Sequence, residues 1–186
     1  MRIIKILNSD QEIVNRFMAV LGSGLAIAGN SKMARPGFFV FACNFIHQYL
    51  EPVYFKQEEI LLNALEECGF SADNGPLGAM YSQQKKSCEV SRVLFDAAKQ
   101  WQGGDETGRA EVVYVASEYT GIMHQHFDLL KSLIQPLLEQ SLSPDGEEKA
   151  AEALNRLAFE ETTPESLDKY VKIIEMLEEE VGEWKQ

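Results

Sequence analysis

The chain has 186 residues, 45% of them apolar and 25% charged, the balance of one soluble globular domain that can bury its own core. Seventeen Lys and Arg against 29 Asp and Glu leave a net charge of −12. A nucleic-acid binder needs a basic footprint to displace counterions, and anionic lipid repels an acidic surface, so the composition argues against both partners.

Cys43, Cys68 and Cys88 are odd in number, widely spaced and without a Cys-x-x-Cys pair. Met1 to Leu7 is too short and too charged for a secretory leader, and no apolar run approaches the ~18 residues of a membrane span. These features predict reduced thiols in a cytoplasmic protein.

Helical periodicity dominates the chain. Ser9-Asp10-Gln11-Glu12 has the form of a capping box, and Val14, Phe17, Leu21 and Leu25 follow at helical spacing, predicting a first helix over about 10–29. Pro36 opens a second helix, which Cys68-Gly69 ends and Pro52 should kink. A turn at 71–76 leads to a third helix over about 76–100, broken by Gly103-Gly104-Asp105. A fourth covers about 107–140. Ser143-Pro144 and Thr163-Pro164 open two shorter helices, the last striped by Leu167, Tyr170, Ile174, Leu177, Val181 and Trp184. Long helices with short connections predict an all-α chain. The expected fold is a single domain, 1–186: an antiparallel up-down four-helix bundle over about 10–140, crossed by two C-terminal helices over about 143–186.

Polar residues inside apolar stripes mark candidate sites, because burial without a partner costs several kcal/mol. On the fourth helix Tyr119, Met123, His126, Leu130, Leu133 and Leu137 share a stripe, which points His126 inward, while His124, Asp128, Lys131 and Gln135 form a polar face. On the second, Phe41, Phe45, Phe55, Glu59 and Leu62 share a side; on the third, Leu77, Tyr81, Gln84 and Cys88 do. At ~1.5 Å rise per residue, counting from the connecting loops sets Glu59, Gln84 and His126 within about a turn of one height. Three readings of that layer stay open: a self-satisfied hydrogen-bond network with buried water, a site for a single metal ion (iron or zinc), or side chains that do not face one another. His47 and Glu51, four apart, read as a local ion pair, and Cys88 as an inert buried thiol. No nucleophile–base arrangement emerges, so catalysis is not expected.

Tyr54-Phe55-Lys56-Gln57-Glu58-Glu59, the Gly75-Pro76-Leu77-Gly78-Ala79-Met80 segment followed by Gln84, and His126 together resemble the hemerythrin-like cation-binding (HHE) family, whose helices hold a di-iron centre. The similarity covers about 10–140, and Phe159-Glu160-Glu161 with Lys169-Tyr170 matches a common C-terminal extension. In that register Glu59 and His126 keep ligand positions. Phe55 replaces a histidine, Gln84 replaces another, Leu130 or Lys131 replaces a carboxylate, and Gly24 stands where the first helix supplies a histidine. Only His47, His124 and His126 exist, and no Glu-x-x-His pair occurs, so neither a five-histidine nor a ferritin-like di-iron centre can form. The resemblance implies a bundle with a degenerate metal site, refilled at Gly24, Phe55 and Leu130. Such a protein would not carry oxygen. It would serve as a binding or regulatory module for a small molecule or a protein, with no cofactor. The alternative is a metal-dependent sensor or redox protein with one ion on Glu59, Gln84 and His126.

Overall fold

The computed structural model describes residues 1–161 and 164–185, apart from the side chains of 164–166. Among these residues the chain is all-α, with six helices and no strand. Helix α1 is Arg2–Asn30. Helix α2 (36–67) joins Pro36–Phe45, a wide π-turn segment Ile46–Tyr54, and Phe55–Glu67. Helix α3 is Gly75–Gln102. Helix α4 (107–141) joins Thr107–Leu129, a second π-turn Leu130–Ile134, and Gln135–Ser141. Helices α5 and α6 are Pro144–Glu161 and Pro164–Trp184.

Helix α1 starts about two turns earlier than the capping box predicts. Ile3, Ile4 and Leu7 are buried, so the apolar stripe already runs upstream of Ser9 and packing overrides the local start signal. By length and apolarity α1 also meets the requirement for a bilayer-spanning helix, contrary to the sequence expectation; its buried stripe packs against α4, α5 and α6. Helix α2 ends as read. Gly69 adopts φ 97°, the Gly69 amide donates to Glu66 O at 2.9 Å, and the Phe70 amide donates to Leu65 O at 3.2 Å. Pro52 sits inside the π-turn, whose wider coil accommodates a residue without an N–H. Thr163, the expected cap of α6, lies outside the described residues.

Helices α3 and α4 pack along each other. Lys86 pairs with Glu118 at 3.1 Å midway, and at one end a Cβ on Gly108 would lie 2.7 Å from the Trp101 backbone nitrogen. Helix α2 lies on α3, and α1 lies on α4. Helix α5 covers α1 and α2. Helix α6 also spans α1 and α2, held by Phe38 against Trp184 (ring centroids 5.1 Å) and Arg16 against Glu178 at 2.6 Å. Phe17 stacks on Phe45 at 4.3 Å in the core between α1 and α2.

The second π-turn corrects the stripe of α4. Continuing the α-helical period from His126 through Leu130 assigns Leu133 and Leu137 to the core. One extra residue in the turn moves the buried positions to Ile134 and Leu138 and leaves Leu133 47% exposed.

Candidate functional site

Three helices bring one carboxylate, one amide and one imidazole together in the core. The carboxylate is Glu58. Glu59, the residue expected there, points to solvent. The cause is angular. At ~100° per residue, the buried positions Tyr54, Gln57, Glu58, Leu61, Leu62 and Leu65 centre close to Glu58. Phe55 lies at the edge of that arc, so the residue one turn after it falls off the arc. Phe41, assigned to the same side, is likewise 44% exposed.

Gln84 and His126 do meet in this layer. The Gln84 Nε2 donates to Glu58 Oε2 at 2.8 Å, and His126 Nε2 lies 2.7 Å from the same oxygen. With Glu58 ionised a carboxylate can only accept, so the imidazole carries its proton on Nε2. Glu58 and His126 are fully buried and Gln84 nearly so. The other carboxylate oxygen, Glu58 Oε1, and His126 Nδ1 are buried without a protein partner, a pattern that calls for ordered water.

Helix α1 enters the site through residues the sequence reading passed over. The Tyr54 hydroxyl donates to Gln11 Oε1, and Gln57 Nε2 donates to Asp10 Oδ2 at 2.7 Å. Burial, and then the Glu58 carboxylate beside it, push the Tyr54 phenol well above its ordinary value. Burial raises the Asp10 carboxyl, with the Gln57 bond opposing it. The face of α2 that serves the layer is thus Tyr54 and Glu58, four apart, one position before Phe55 and Glu59.

The three expected replacement residues separate. Phe55 is buried and sets its ring edge-on to His126, centroids 5.6 Å apart. Leu130 is buried one turn beyond His126. Gly24 is elsewhere: a Cβ there would lie 2.3 Å from the Phe38 ring, so the glycine seats Phe38. Phe38 precedes Glu58 by twenty residues on the same rod, about 30 Å at 1.5 Å per residue. Gly24 refills nothing at this layer.

One heptad away on each of the three helices lies a second polar layer of Glu51, Ser91 and Tyr119. The Ser91 Oγ donates to Glu51 Oε1 at 2.6 Å and stands 3.1 Å from His47 Nε2, so serine bridges the pair expected to meet directly. The Tyr119 hydroxyl is buried with no partner, and burial followed by the Glu51 charge raises its phenol well above the usual range. Burial pushes Cys88 up to about 11 and Cys43 up to about 12, so both thiols stay protonated and little reactive at neutral pH.

Over the first layer, between α1 and α4, opens a cleft of about 440 Å³. Asn8, Gln11 and Asn15 line it from α1, and His124, Phe127, Asp128, Lys131 and Gln135 from α4. The exposed His124 belongs to this surface.

No family model, curated protein or solved structure matches this chain. The donor set does not fit a di-iron centre. Among the described residues no three His, Cys, Asp or Glu side chains are grouped to hold a metal ion, and the Gln84 amide turns its nitrogen, not its oxygen, toward Glu58.

Proposed function

We propose that this chain is a hemerythrin-like protein, an up-down four-helix bundle whose former metal layer is closed by hydrogen bonds and which acts as a cytoplasmic binding or regulatory module. The observation that carries the reading is the double acceptance at Glu58 Oε2, from Gln84 at 2.8 Å and His126 at 2.7 Å. Atoms that would face an ion instead satisfy one another. Phe55 packs on the imidazole and Leu130 lies beside it, supplying apolar volume where further ligands would be needed. Two heptad-related polar layers, the first flanked by both π-turns and the second with Glu51 inside the first π-turn, fix the helix register at the price of stability, which suits a module that changes state on binding.

A second reading draws on Glu58 Oε1 and His126 Nδ1, both buried without partners. There a single iron or zinc ion displaces the Gln84 contact and takes Glu58 and His126 as ligands, and the protein is a metal-dependent sensor. Elemental analysis of protein purified without a metal-affinity tag separates the two. The first reading predicts far less than one equivalent of any transition metal. A stoichiometric metal that disappears in His126→Ala replaces it with the second.

A further inference from the structure

The end of the bundle where α1 gives way to α2 carries charge opposite in sign to that of the whole chain. Of the 186 residues 29 are acidic, yet none falls between Glu12 and Glu51, a stretch that includes Arg16, Lys32 and Arg35. Folding adds a third cation to the last two. A cleft of about 500 Å³ opens between the α1–α2 connection and the facing ends of α3 and α4, and Lys32, Arg35, Trp101, Glu106 and Arg109 line it. Three cations thus share one cleft with a single carboxylate, whereas the cleft between α1 and α4 sets Lys131 against Asp128 and balances.

Arg109 is held in a fixed pose. Its guanidinium lies 5.7 Å from the centre of the Trp101 ring, and Nη2 donates to the carbonyls of Ala28, at 2.9 Å, and Ser31. Among the described residues Nε and Nη1 make no hydrogen bond, so a preorganised pair of donors remains for an oxyanion. Helix α2 begins at the same cleft with no side-chain cap, and beyond Pro36 the amides of Gly37 and Phe38 are the orphan donors of its first turn. A Cβ on Gly37 would meet nothing within 4 Å, so that turn is open. The start of α4 differs, because Asp105 already accepts from the Thr107 amide at 2.9 Å and the Thr107 hydroxyl at 2.7 Å. Burial raises the Glu180 carboxyl on α6 and Arg35 opposes the rise, without an ion pair between them.

We propose that this cleft binds a small dianionic phosphate, free or as a monoester. Arg109 supplies a fixed fork, Lys32 and Arg35 supply charge, and the first turn of α2 supplies amides. Glu106 is the one lining group that opposes binding. Two negative charges on one compact group match three cations set against one carboxylate, and a cleft of about 500 Å³ leaves room for a small organic body beside the phosphate. A long polyanion would meet the acidic remainder of the molecule, so the ligand is small. Glu58 lies 22 residues after Pro36 on the same rod, about 33 Å at ~1.5 Å per residue, so this site stands apart from the buried layer and its metal content.

Calorimetry in 0.1 M salt with inorganic phosphate, glycerol phosphate and succinate, and ¹H–¹⁵N spectra of the complex, test it. At least one of the two phosphates should bind saturably with Kd below about 1 mM. Each of Lys32→Gln and Arg35→Gln should weaken binding about tenfold, and Glu106→Gln should strengthen it. Lys131→Gln removes the same charge from the distant α1–α4 cleft and should change nothing, because exposed charges more than about 10 Å apart are screened at this salt. All four positions are exposed, so the variants should keep the wild-type far-UV circular dichroism. The Gly37 and Phe38 amide signals should shift on binding. Tighter binding of glycerol phosphate supports a monoester as the ligand, and equal affinities support the free ion. Succinate binding as tightly as phosphate, a loss in Lys131→Gln equal to that in Lys32→Gln, or shifts that spare Gly37 and Phe38 overturns the proposal. So does the absence of saturable binding by either phosphate up to about 10 mM. A stoichiometric metal in the protein would overturn the reading of the buried layer and leave this one standing.

Discussion

Replacing Glu58 by Ala removes the only acceptor that Gln84 Nε2 and His126 Nε2 share. Each of the two stranded buried donors costs about 1–3 kcal/mol, so about 2–6 kcal/mol together. Relief of the carboxylate's own desolvation offsets part of this, but the donors stay buried, so a loss of about 3–5 kcal/mol is expected. Glu58→Gln is different. Its Oε1 placed where Glu58 Oε2 now sits accepts both donors, and its amide nitrogen faces the Tyr54 oxygen. The change should stay within about 1 kcal/mol. Glu59→Ala removes a solvent-exposed side chain and should stay within about 0.5 kcal/mol. Urea unfolding followed by the fluorescence of Trp101 and Trp184 resolves these differences against a total of about 5–15 kcal/mol. Equal costs at Glu58 and Glu59, or a Glu58→Ala loss under about 1 kcal/mol, would refute the assignment of the buried carboxylate.

Phe55→Ala should cost about 3–5 kcal/mol through lost transfer energy and the cavity left against His126, and an unfolding shift under about 1 kcal/mol would show that the ring is not part of the core. Asp10 has a raised carboxyl, so the folded state holds its proton more tightly than the unfolded chain, and Asp10 loses stability as pH rises from its unfolded value near 3.8 through its raised folded value. Asp10→Asn keeps an acceptor for Gln57, so its stability relative to wild type should rise with pH across that window; urea melts giving a flat difference between about pH 3.5 and 7 would contradict this. A thiol reagent at neutral pH should modify the exposed Cys68 quickly, the half-buried Cys88 more slowly and the buried Cys43 only on unfolding, and fast labelling of Cys43 in native protein would show that the core beside the second layer is open.

The fold class was legible because apolar positions recur at helical spacing over most of the chain and because glycine and proline mark the breaks. The phase of each helix was less legible. Two π-turns insert residues that no periodic extrapolation anticipates, which is why Leu133 is exposed and Ile134 buried. For α2 the information was present but misread. Tyr54, Gln57, Leu61 and Leu65 centre an arc about 60° from Glu58 and about 160° from Glu59, which favours Glu58 as the buried carboxylate, whereas reading onward from Phe55 alone lands on Glu59. Counting heights from the loops did bring Gln84 and His126 into one layer. The part played by Asp10 and Gln11 stayed hidden because a capping signal at Ser9 made the start of α1 look like a helix end, and end residues are not expected to reach the core.

The central claim, that hydrogen bonds and not an ion close the Glu58 layer, is tested most directly by long-range ¹H–¹⁵N NMR of the His126 ring during titration with one equivalent of Zn²⁺ or Fe²⁺. The account predicts a slowly exchanging proton on Nε2, donated to Glu58, whose signals do not change as metal is added. Loss of that proton and a shift of Nε2 at stoichiometric metal would contradict it.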